Sequence, residues 1–482
     1  MQITYYLSMH KQLAIPKILP VTAHTDFVGK GSIFVATLGS KLNGIDFIPK
    51  ALQNGATQIV IQKNLSLPKN VQNSIDIYKP EIIVVDDCRQ TLSELSAKAW
   101  NYPAKKLNII GITGTKGKTT TVYLLHHILS RSGYKTAMIS GVENIINNKK
   151  YESALTTPLP DYLHAFFYRC VQEGVQFVVM ESSAQAFTLK RLYGIEFSGA
   201  IFTNFDLEHS EFYQNMDEYF QAKCTLFKQL KKHCPAIINS DNLWGEKLFK
   251  MYQKTQPNSQ FQILKNNSSG LEIKLKHQNV IYNFSSNLVG EFNAHNIAGA
   301  ISLLLELGLT PEKIKYALST FCHVPGRMER YILNNGTVAV IDYAHNPSSF
   351  SKILPTLKNM TDNLIVVFGC GGDRDKQKRP LMGEIASNIA DKTIITSDNP
   401  RSENLDEIIS QIYSGIPKEN QNKVIIEKDR AKAINLAYQL SKKDTIIAIL
   451  GKGPDEYQIF GDQKFYFSDR ETILKSDNQK SN

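Results

Sequence analysis

The sequence lacks the features that mark membrane and secreted proteins. Its 482 residues contain no apolar run approaching the roughly 20 residues that a membrane-spanning helix needs. The N-terminal stretch has neither a continuous apolar segment nor a small-residue cleavage site, so we expect no signal peptide. Cysteine is scarce: there are six, without C-x-x-C spacing, which argues against structural zinc and favours a reducing, cytoplasmic location.

Positive charge is in excess, but it is not concentrated. The net charge of +10 would suit a nucleic-acid-binding protein. However, the lysines are spread along the whole chain, without a dense basic block or an RNA-binding signature. We therefore expect small anionic substrates rather than nucleic acid as partners, and a monomer.

The chain divides into blocks of different pattern. Its length of 482 residues predicts about three domains, which we place at residues 1–103, 104–328 and 329–482. The second and third blocks alternate strand-like apolar runs with helical periodicity, which predicts an α/β fold with mostly parallel sheets. Two Ser/Asn-rich segments, 266–270 and 474–482, are predicted to be a loop and a loose tail.

The most informative segment is a glycine-containing turn between a predicted strand, Ile109 to Thr113, and a predicted helix. Such a turn lets backbone N–H groups converge on a phosphate, while a lysine reaches the outer phosphates and a hydroxyl binds Mg²⁺. One position departs from the usual pattern, with Ile112 in place of glycine. The sequence predicts that a nucleoside triphosphate is bound by Gly114, Thr115, Lys116, Gly117, Lys118, Thr119 and Thr120.

Three other polar residues are ambiguous by themselves. Glu181 closes the apolar run FVVM, where a carboxylate suits a Mg²⁺ site at a sheet edge, although most such residues are solvated strand ends. His209 follows another predicted strand, and most turn histidines are structural. Lys223 lies within a predicted helix, where the ordinary interpretation is a surface lysine.

A series of further motifs follows in a fixed order. After the turn GTKGKTT come the segments TTP, ME-S, HSEFY, YFQAK, LVGEFNAHN, PGRMER, DYAHNP, FGCGGDRDKQKRPLMG, SDNPRSE, GKG and FSDRE. Over about residues 20–470 this series resembles the Mur ligases, ATP-dependent enzymes that build the peptidoglycan stem peptide. The most similar subgroup adds meso-diaminopimelate to UDP-N-acetylmuramoyl-L-alanyl-D-glutamate. The resemblance implies three domains, with a P-loop central parallel sheet and a Rossmann-like C-terminal domain.

The resemblance also implies roles for the ambiguous residues. Thr119, Glu181 and His209 would hold Mg²⁺, and Lys223 would be carbamylated, its new carboxylate supporting a second Mg²⁺. Lys118, Lys223 and His209 would be the catalytic residues. Further contacts to ATP are implied for Asn293, Asn296, Arg327, Asp342 and His345.

The implied amino-acid site matches the family well. Arg401 is its most informative residue, because a guanidinium pairs with a carboxylate bidentately, whereas a lysine substrate has no carboxylate at that end. One departure is that the family's GKGHE is GKGPD at residues 451–455. The full set implied for this site is Arg374, Asp398, Asn399, Arg401, Gly451 and Asp455.

The implied site for the UDP-sugar peptide matches less well. His24-Thr25-Asp26 stands where the family usually has Asp-Ser-Arg, and residues 180–185 read MESSAQ in place of MEVSSH. Leu189 replaces a usual glutamine. The residues that keep an implied role are Thr25, Thr156, Thr157, Ser183 and Arg191.

This difference between the two sites leaves several functions open. The leading hypothesis is a diaminopimelate-adding ligase that uses ATP and Mg²⁺ and forms an acyl phosphate. The second is a Mur-like paralogue that joins an amino acid to a different carboxylate. A nucleotide-dependent regulatory protein with a degenerate ligase fold would not need Lys223. A folylpolyglutamate-type ligase has no evident need for the SDNPR series.

We expect Arg401→Ala to raise the KM for diaminopimelate at least tenfold, since a lost charge-assisted pair costs about 1.5–3 kcal/mol. The KM for ATP should change by less than about twofold, because Arg401 is assigned to the amino acid alone. Steady-state kinetics with each substrate varied in turn measures both. Equal effects on the two KM values would remove Arg401 from the amino-acid site.

Overall fold

The structure is a computed structural model of the chain. It describes residues 13–39, 42–206, 212–252, 256–257 and 261–479. These residues fall into two compact units. The first unit contains the described residues up to Ile263, together with Ile273–Ser285 and Phe292–Phe321. The second contains Leu264–Glu272, Ser286–Glu291 and the described residues from Cys322 onward.

The first unit begins with a small parallel sheet. In the described part of residues 1–103, its four strands lie in chain order: β1 (Val21–Thr22), β2 (Ile33–Val35), β3 (Gln58–Gln62) and β4 (Glu81–Val85). The helices are α1 (Ile48–Gln53), α2 (Lys69–Tyr78) and α3 (Cys88–Ala99). Side chains alternate between the faces of a strand. Accordingly, Phe34 and Ile59 pack with α1, while Val35 and Val60 pack with Leu92 of α3.

The larger sheet of the first unit carries the glycine-containing turn, residues 114–117. Eight of the described strands form it, in the order β12-β11-β10-β5-β9-β6-β7-β8, and only the pairs β6–β7 and β7–β8 are antiparallel. These strands are β5 (Asn108–Thr113), β6 (Thr136–Ile139), β7 (Glu143–Ile146), β8 (Lys149–Glu152), β9 (Phe177–Glu181), β10 (Gly199–Phe202), β11 (Ala236–Ile238) and β12 (Gln256–Pro257). The helices between them are α4 (Lys118–Arg131), α5 (Pro160–Gln172), α6 (Ala184–Thr188), α7 (Met216–Lys228) and α8 (Leu243–Met251).

A small sheet and two helices follow along the chain. The sheet consists of β13 (Phe261–Asn267), β14 (Gly270–His277) and β15 (Val280–Ser286), in chain order. The helices are α9 (Glu291–Glu306) and α10 (Pro311–Ser319). Most of α9 is buried, which agrees with its apolar run from Ile297 to Leu305.

The second unit is built on another mostly parallel sheet. Six strands of the described chain lie in the order β16-β17-β21-β18-β19-β20, with only the β16–β17 pair antiparallel. They are β16 (Glu329–Ile332), β17 (Val338–Asp342), β18 (Asn363–Phe368), β19 (Lys392–Ile395), β20 (Val424–Ile426) and β21 (Thr445–Leu450). The helices are α11 (Pro347–Lys358), α12 (Lys378–Ile389), α13 (Leu405–Tyr413), α14 (Arg430–Leu440) and α15 (Asp469–Gln479), and a hairpin is formed by β22 (Tyr457–Phe460) and β23 (Gln463–Tyr466).

The predicted α/β class with parallel sheets is confirmed, whereas two local predictions were wrong. The segment 266–270 is mostly strand, with a turn only at residues 268–269. The predicted loose tail, residues 474–482, is helical through Gln479, and residues 480–482 lie outside the described part of the chain. The helix is held because Ile473 is fully buried and the Asp477 carboxylate accepts hydrogen bonds from Tyr438 Oη (2.8 Å) and the Asn334 N–H (2.9 Å).

The domain boundaries after residues 103 and 328 remain predictions. Within the part of the chain that the structure describes, no helix has both the length and the apolar character needed to cross a membrane.

Candidate active site

The phosphate loop, residues 114–117, joins β5 to α4 in a conformation that requires glycine at two positions. Gly114 and Gly117 have φ angles of +145° and +83°, which side-chain-bearing residues rarely adopt. A Cβ atom on Gly114 would lie 2.0 Å from Thr203 Oγ1, and one on Gly117 would lie 2.3 Å from Asn296 Oδ1. The glycines therefore allow both the turn and the close approach of its neighbours.

The phosphate loop is held by Asn204, which follows β10. The Thr115 N–H donates to the Asn204 carbonyl (3.0 Å). The Lys116 N–H donates to Asn204 Oδ1 (2.8 Å), while Asn204 Nδ2 donates to the Lys116 carbonyl (2.9 Å). Thr203 Oγ1 also donates to the Lys116 carbonyl (2.6 Å). We did not predict Asn204 as a site residue, although its position at the end of the strand-like run GAIFTN was a usable signal.

Lys118 lies against the phosphate loop itself. Its Nζ donates to the carbonyls of Gly114 and Thr115, both at 2.9 Å. Thr119 and Thr120 are buried in the first turn of α4. The first N–H groups of a helix have no partner within the helix, and the helix dipole favours an anion there. The predicted ATP residues 114–120 thus form one contiguous turn and helix N-terminus whose N–H groups suit an anion.

Two oxygen atoms beside this loop fit a Mg²⁺ ion. Thr119 Oγ1 donates to Glu181 Oε1 (2.9 Å), and the Gly141 N–H donates to the same carboxylate oxygen (2.9 Å). The described residues contain no group of three or more His, Cys, Asp or Glu side chains suited to a metal. Mg²⁺ usually takes one or two protein carboxylates and completes its shell with phosphate oxygens and water. The donor set therefore fits, while the predicted ligand His209 lies outside the described residues.

Lys223 is not a surface lysine. Its side chain on α7 is buried, and its Nζ donates to the Gly114 carbonyl at 2.8 Å. The same Nζ lies 4.2 Å from the ring centroid of Tyr219. Lys118 and Lys223 thus bring two ammonium groups to one carbonyl oxygen, an arrangement that like-charge repulsion disfavours.

Two predicted nucleotide residues on α9 are hydrogen-bonded to each other, and one of them contacts the phosphate loop. Asn293 and Asn296 are both buried, and Asn296 Nδ2 donates to Asn293 Oδ1 (3.2 Å). Asn296 is the side chain that would collide with a Cβ atom on Gly117. Asn296 therefore contacts the phosphate loop directly.

Four residues predicted for the UDP-sugar peptide lie around the end of β9. Thr157 Oγ1 donates to the Glu181 carbonyl (2.9 Å) and accepts from the Ser183 N–H (3.2 Å), and Arg191 Nη1 donates to the Thr157 carbonyl (2.8 Å). Thr156 Oγ1 lies 3.0 Å from the position of a Cβ atom on Gly141. This cluster adjoins the Thr119–Glu181 pair.

The remaining predicted acceptor residue, Thr25, lies in the turn after β1. It starts a short 3₁₀ helix, Thr25–Phe27, and its carbonyl accepts from Asn54 Nδ2 (2.8 Å).

In the second unit, three predicted nucleotide residues surround Tyr343. The Asp342 carboxylate is buried and accepts from the N–H groups of Met328 and Ala344, both at 2.7 Å. Burial raises the pKa of Asp342, and the Arg327 guanidinium opposes that shift. Arg327 lies over the Tyr343 ring with its guanidinium carbon 4.5 Å from the centroid. His345 Nδ1 lies 2.7 Å from the Tyr343 carbonyl.

The predicted amino-acid residues gather where β18, β19 and β21 end. Arg401 Nη1 donates to the Gly372 carbonyl (2.6 Å), and both Arg401 and Arg374 lie beside Gly371. Gly451 must be glycine, because a Cβ atom there would lie 2.7 Å from Asp398 Oδ2 and its φ is +111°. Parallel strands place their carboxyl ends at one sheet edge, which explains why residues distant in sequence meet here.

A buried lysine, Lys452, and a half-buried aspartate, Asp455, belong to the same site. Burial raises the pKa of Asp455 and lowers the pKa of Lys452, and each group opposes the shift of the other. Lys452 Nζ donates to Asn399 Oδ1 (3.3 Å), which also accepts from the Ile459 N–H (2.9 Å). The sequence indicated Asp455 and Asn399 but not Lys452, whose burial only the fold reveals.

An ion pair between Arg379 and Glu403 holds the backbone next to Arg401 in place. The guanidinium of Arg379 makes two hydrogen bonds to Glu403 (2.9 and 3.0 Å) and a third to the Gly371 carbonyl (3.0 Å). The paired arginine lowers the pKa of Glu403 to about 2. The segment that carries Gly371 is thereby fixed beside Arg401.

Comparison with known proteins finds the same family in both of these regions. The profile of the Mur ligase middle domain matches residues 112–304, and that of the Mur ligase glutamate ligase domain matches residues 326–453. A protein from Clostridium acetobutylicum named UDP-N-acetylmuramoyl-L-alanyl-D-glutamate–2,6-diaminopimelate ligase 1 is 38% identical over 457 residues, which is 92% of each chain. The chain belongs to the Mur ligase family.

Other Mur ligases cover the chain almost completely. A diaminopimelate ligase from Aquifex aeolicus is 35% identical over 97% of this chain and 95% of its own length. A solved structure of such a ligase has a TM-score of 0.67 and 26% identity, covering 96% of both chains. The Thermotoga maritima MurF ligase in complex with ADP has a TM-score of 0.62 at 17% identity, covering 96% and 97%, which shows the shared fold. This Mur ligase is therefore an ATP-dependent enzyme that uses Mg²⁺.

Proposed function

We propose that this enzyme joins diaminopimelate to the D-glutamate carboxylate of UDP-N-acetylmuramoyl-L-alanyl-D-glutamate. The observation that carries this proposal is the similarity, at 35–38% identity over nearly the whole chain, to relatives named for that reaction. The amino-acid site adds chemical support. Arg401 and Arg374 suit a carboxylate, while Asp398 and Asp455 suit an ammonium group. Diaminopimelate carries both groups at its distal end.

The proposed reaction proceeds in two balanced steps. An oxygen of the acceptor carboxylate attacks the γ-phosphorus of ATP, and the bond to the ADP oxygen breaks, giving an acyl phosphate and ADP. The neutral amine then attacks the acyl carbon, the bond to the phosphate oxygen breaks, and an amide, phosphate and a proton are released. Negative charge gathers on oxygen atoms in both steps, so cations and N–H groups contribute most of the stabilisation.

The residues of the first unit supply this stabilisation. The N-terminus of α4 and the phosphate loop orient the triphosphate, and Lys118 neutralises charge on the transferred group. Thr119 and Glu181 would hold Mg²⁺, which when bound neutralises charge on the β- and γ-phosphates. The cluster of Thr156, Thr157, Ser183 and Arg191 would hold the peptide end of the acceptor next to them. Asn293, Asn296, Arg327, Asp342 and His345 would contact ATP.

We also propose a cytoplasmic monomer of three domains, with boundaries after residues 103 and 328. ATP and UDP-linked precursors are cytoplasmic substrates.

Phosphate release from ATP and Mg²⁺ tests the proposed reaction. The acceptor UDP-N-acetylmuramoyl-L-alanyl-D-glutamate is supplied with meso-diaminopimelate, with L-lysine or without an amine. We expect turnover with diaminopimelate and at least about tenfold less with L-lysine, which cannot pair with Arg401. Absence of turnover with every amine, in protein that binds ATP, would instead favour a paralogue that acts on another carboxylate.

The buried position of Lys223 supports carbamylation. A neutral lysine amine adds CO₂ to form a carbamate, and burial favours the neutral amine. The modification would replace one of the two ammonium groups at the Gly114 carbonyl with an anion. That anion would be a hard oxygen ligand for a second Mg²⁺ near the transferred phosphate. We propose that His209 completes the first Mg²⁺ site, together with Thr119 and Glu181.

Substitution of Lys223 tests this role. We expect Lys223→Ala to lose at least about a hundredfold in kcat and to regain part of it when a small carboxylic acid is added, because the acid can occupy the vacated volume. Lys228→Ala, an exposed lysine on the same helix, is the matched control and should retain activity. Carbon-13 NMR after equilibration with labelled bicarbonate should give a carbamate signal in the unsubstituted protein and in Lys228→Ala, but not in Lys223→Ala. An unchanged kcat in Lys223→Ala would contradict the assignment.

A further inference from the structure

A buried carboxylate connects the turn after β1 to the first turn of α5. Asp161 Oδ2 accepts hydrogen bonds from Thr22 Oγ1 (2.7 Å) and from the Ala23 N–H (3.2 Å), while its Oδ1 accepts from the Tyr162 N–H (2.8 Å). Asp161 is 3% exposed and Thr22 is fully buried. A charge is buried at such a position only when it is well hydrogen-bonded, and the N-terminus of α5 also favours it.

From Thr22 the hydrogen bonds continue into the turn that carries Thr25. Thr22 Oγ1 accepts from the His24 N–H (3.0 Å), and His24 Nδ1 accepts from the Asp26 N–H (3.2 Å). Thr25 lies between these two bonded residues. These hydrogen bonds therefore hold the backbone around Thr25 in position, and they depend on the contact between Asp161 and Thr22.

The other end of the connection leads to the peptide side of the acceptor site. Asp161 follows Thr157 by four residues, and the intervening Pro158 and Pro160 restrict the backbone. Thr157 is itself fixed by its hydrogen bonds to Glu181 and Ser183. Asp161 thus fixes the segment containing Thr25 relative to the segment containing Thr157.

The fold does not depend on this connection alone. Helix α3 also packs on α5, and the rings of Trp100 and Tyr168 lie 4.8 Å apart at that contact. Ser93 Oγ on α3 donates to the Lys190 carbonyl (2.6 Å). Asp161 is therefore not required to hold α3 and α5 together. Its specific effect is on the position of the turn that contains Thr25.

We propose that Asp161 and Thr22 form a positioning pair that sets the distance between the two ends of the UDP-sugar-peptide site. This inference rests on the proposed function, in which Thr25 serves the uridine end and Thr157 the peptide end. A ligand that contacts both ends gains affinity because binding at one end raises the effective concentration at the other. Loss of the pair should weaken the whole acceptor more than a fragment that contacts one end.

The test compares Asp161→Ala and Thr22→Val with the control Thr22→Ser, which keeps the hydroxyl. We expect both variants to raise the KM of the whole acceptor about tenfold or more. The inhibition constant of UDP alone should rise by less than about threefold, and the KM for ATP should stay unchanged. Thr22→Ser should remain close to the unsubstituted protein. Thermal denaturation monitors the folded state of each variant.

Three outcomes would overturn the inference while leaving the proposed function standing. They are an unchanged KM for the acceptor, an equal loss of affinity for UDP and for the whole acceptor, or a Thr22→Ser variant as impaired as Thr22→Val. If the unsubstituted protein turned over no UDP-linked acceptor, the proposed function itself would fail, and this inference with it.

Discussion

The site in the first unit depends on the hydrogen bonds between Asn204 and the phosphate loop. A glycine-containing turn is flexible in isolation, because glycine adopts many backbone conformations. Here the side-chain amide of Asn204 pairs with both polar backbone groups of Lys116, and its carbonyl accepts from Thr115. These bonds fix the loop before any ligand arrives, so ordering the loop costs little of the binding free energy. The Gly114 carbonyl, which accepts hydrogen bonds from both Lys118 and Lys223, is thereby held in a fixed position.

The two units position their site residues in similar ways. Each places polar side chains at the carboxyl ends of parallel strands, where backbone from several strands comes together. Each also uses glycine where a side chain would fill the required space, as at Gly117 and Gly451. The chemistry differs, since the first edge presents N–H groups and cations to phosphate. The second presents both carboxylates and guanidinium groups, which suits the zwitterionic amino acid that we propose as its ligand.

Local patterns predicted much of this arrangement from the sequence. The run Ile109 to Thr113 lies within β5, and the glycine turn leads directly into α4, because burial and backbone freedom are encoded locally. The sequence did not predict the residues that hold the site residues in position. Asn204 and Asp161 act through contacts about 90 and 140 residues away in sequence, which no local pattern reports. The helical tail was missed because its polar composition concealed the buried Asp477.

The affinity of the Asn204→Ala variant for ATP, measured by titration calorimetry, tests the role of this contact most directly. We predict a rise in Kd of about tenfold or more, since two hydrogen bonds of about 1 kcal/mol each are lost. Asn242→Ala, which removes the N-cap of α8, is the matched control and should bind ATP normally despite a comparable loss of stability. A folded Asn204→Ala protein that binds ATP as tightly as the unsubstituted protein would contradict the account.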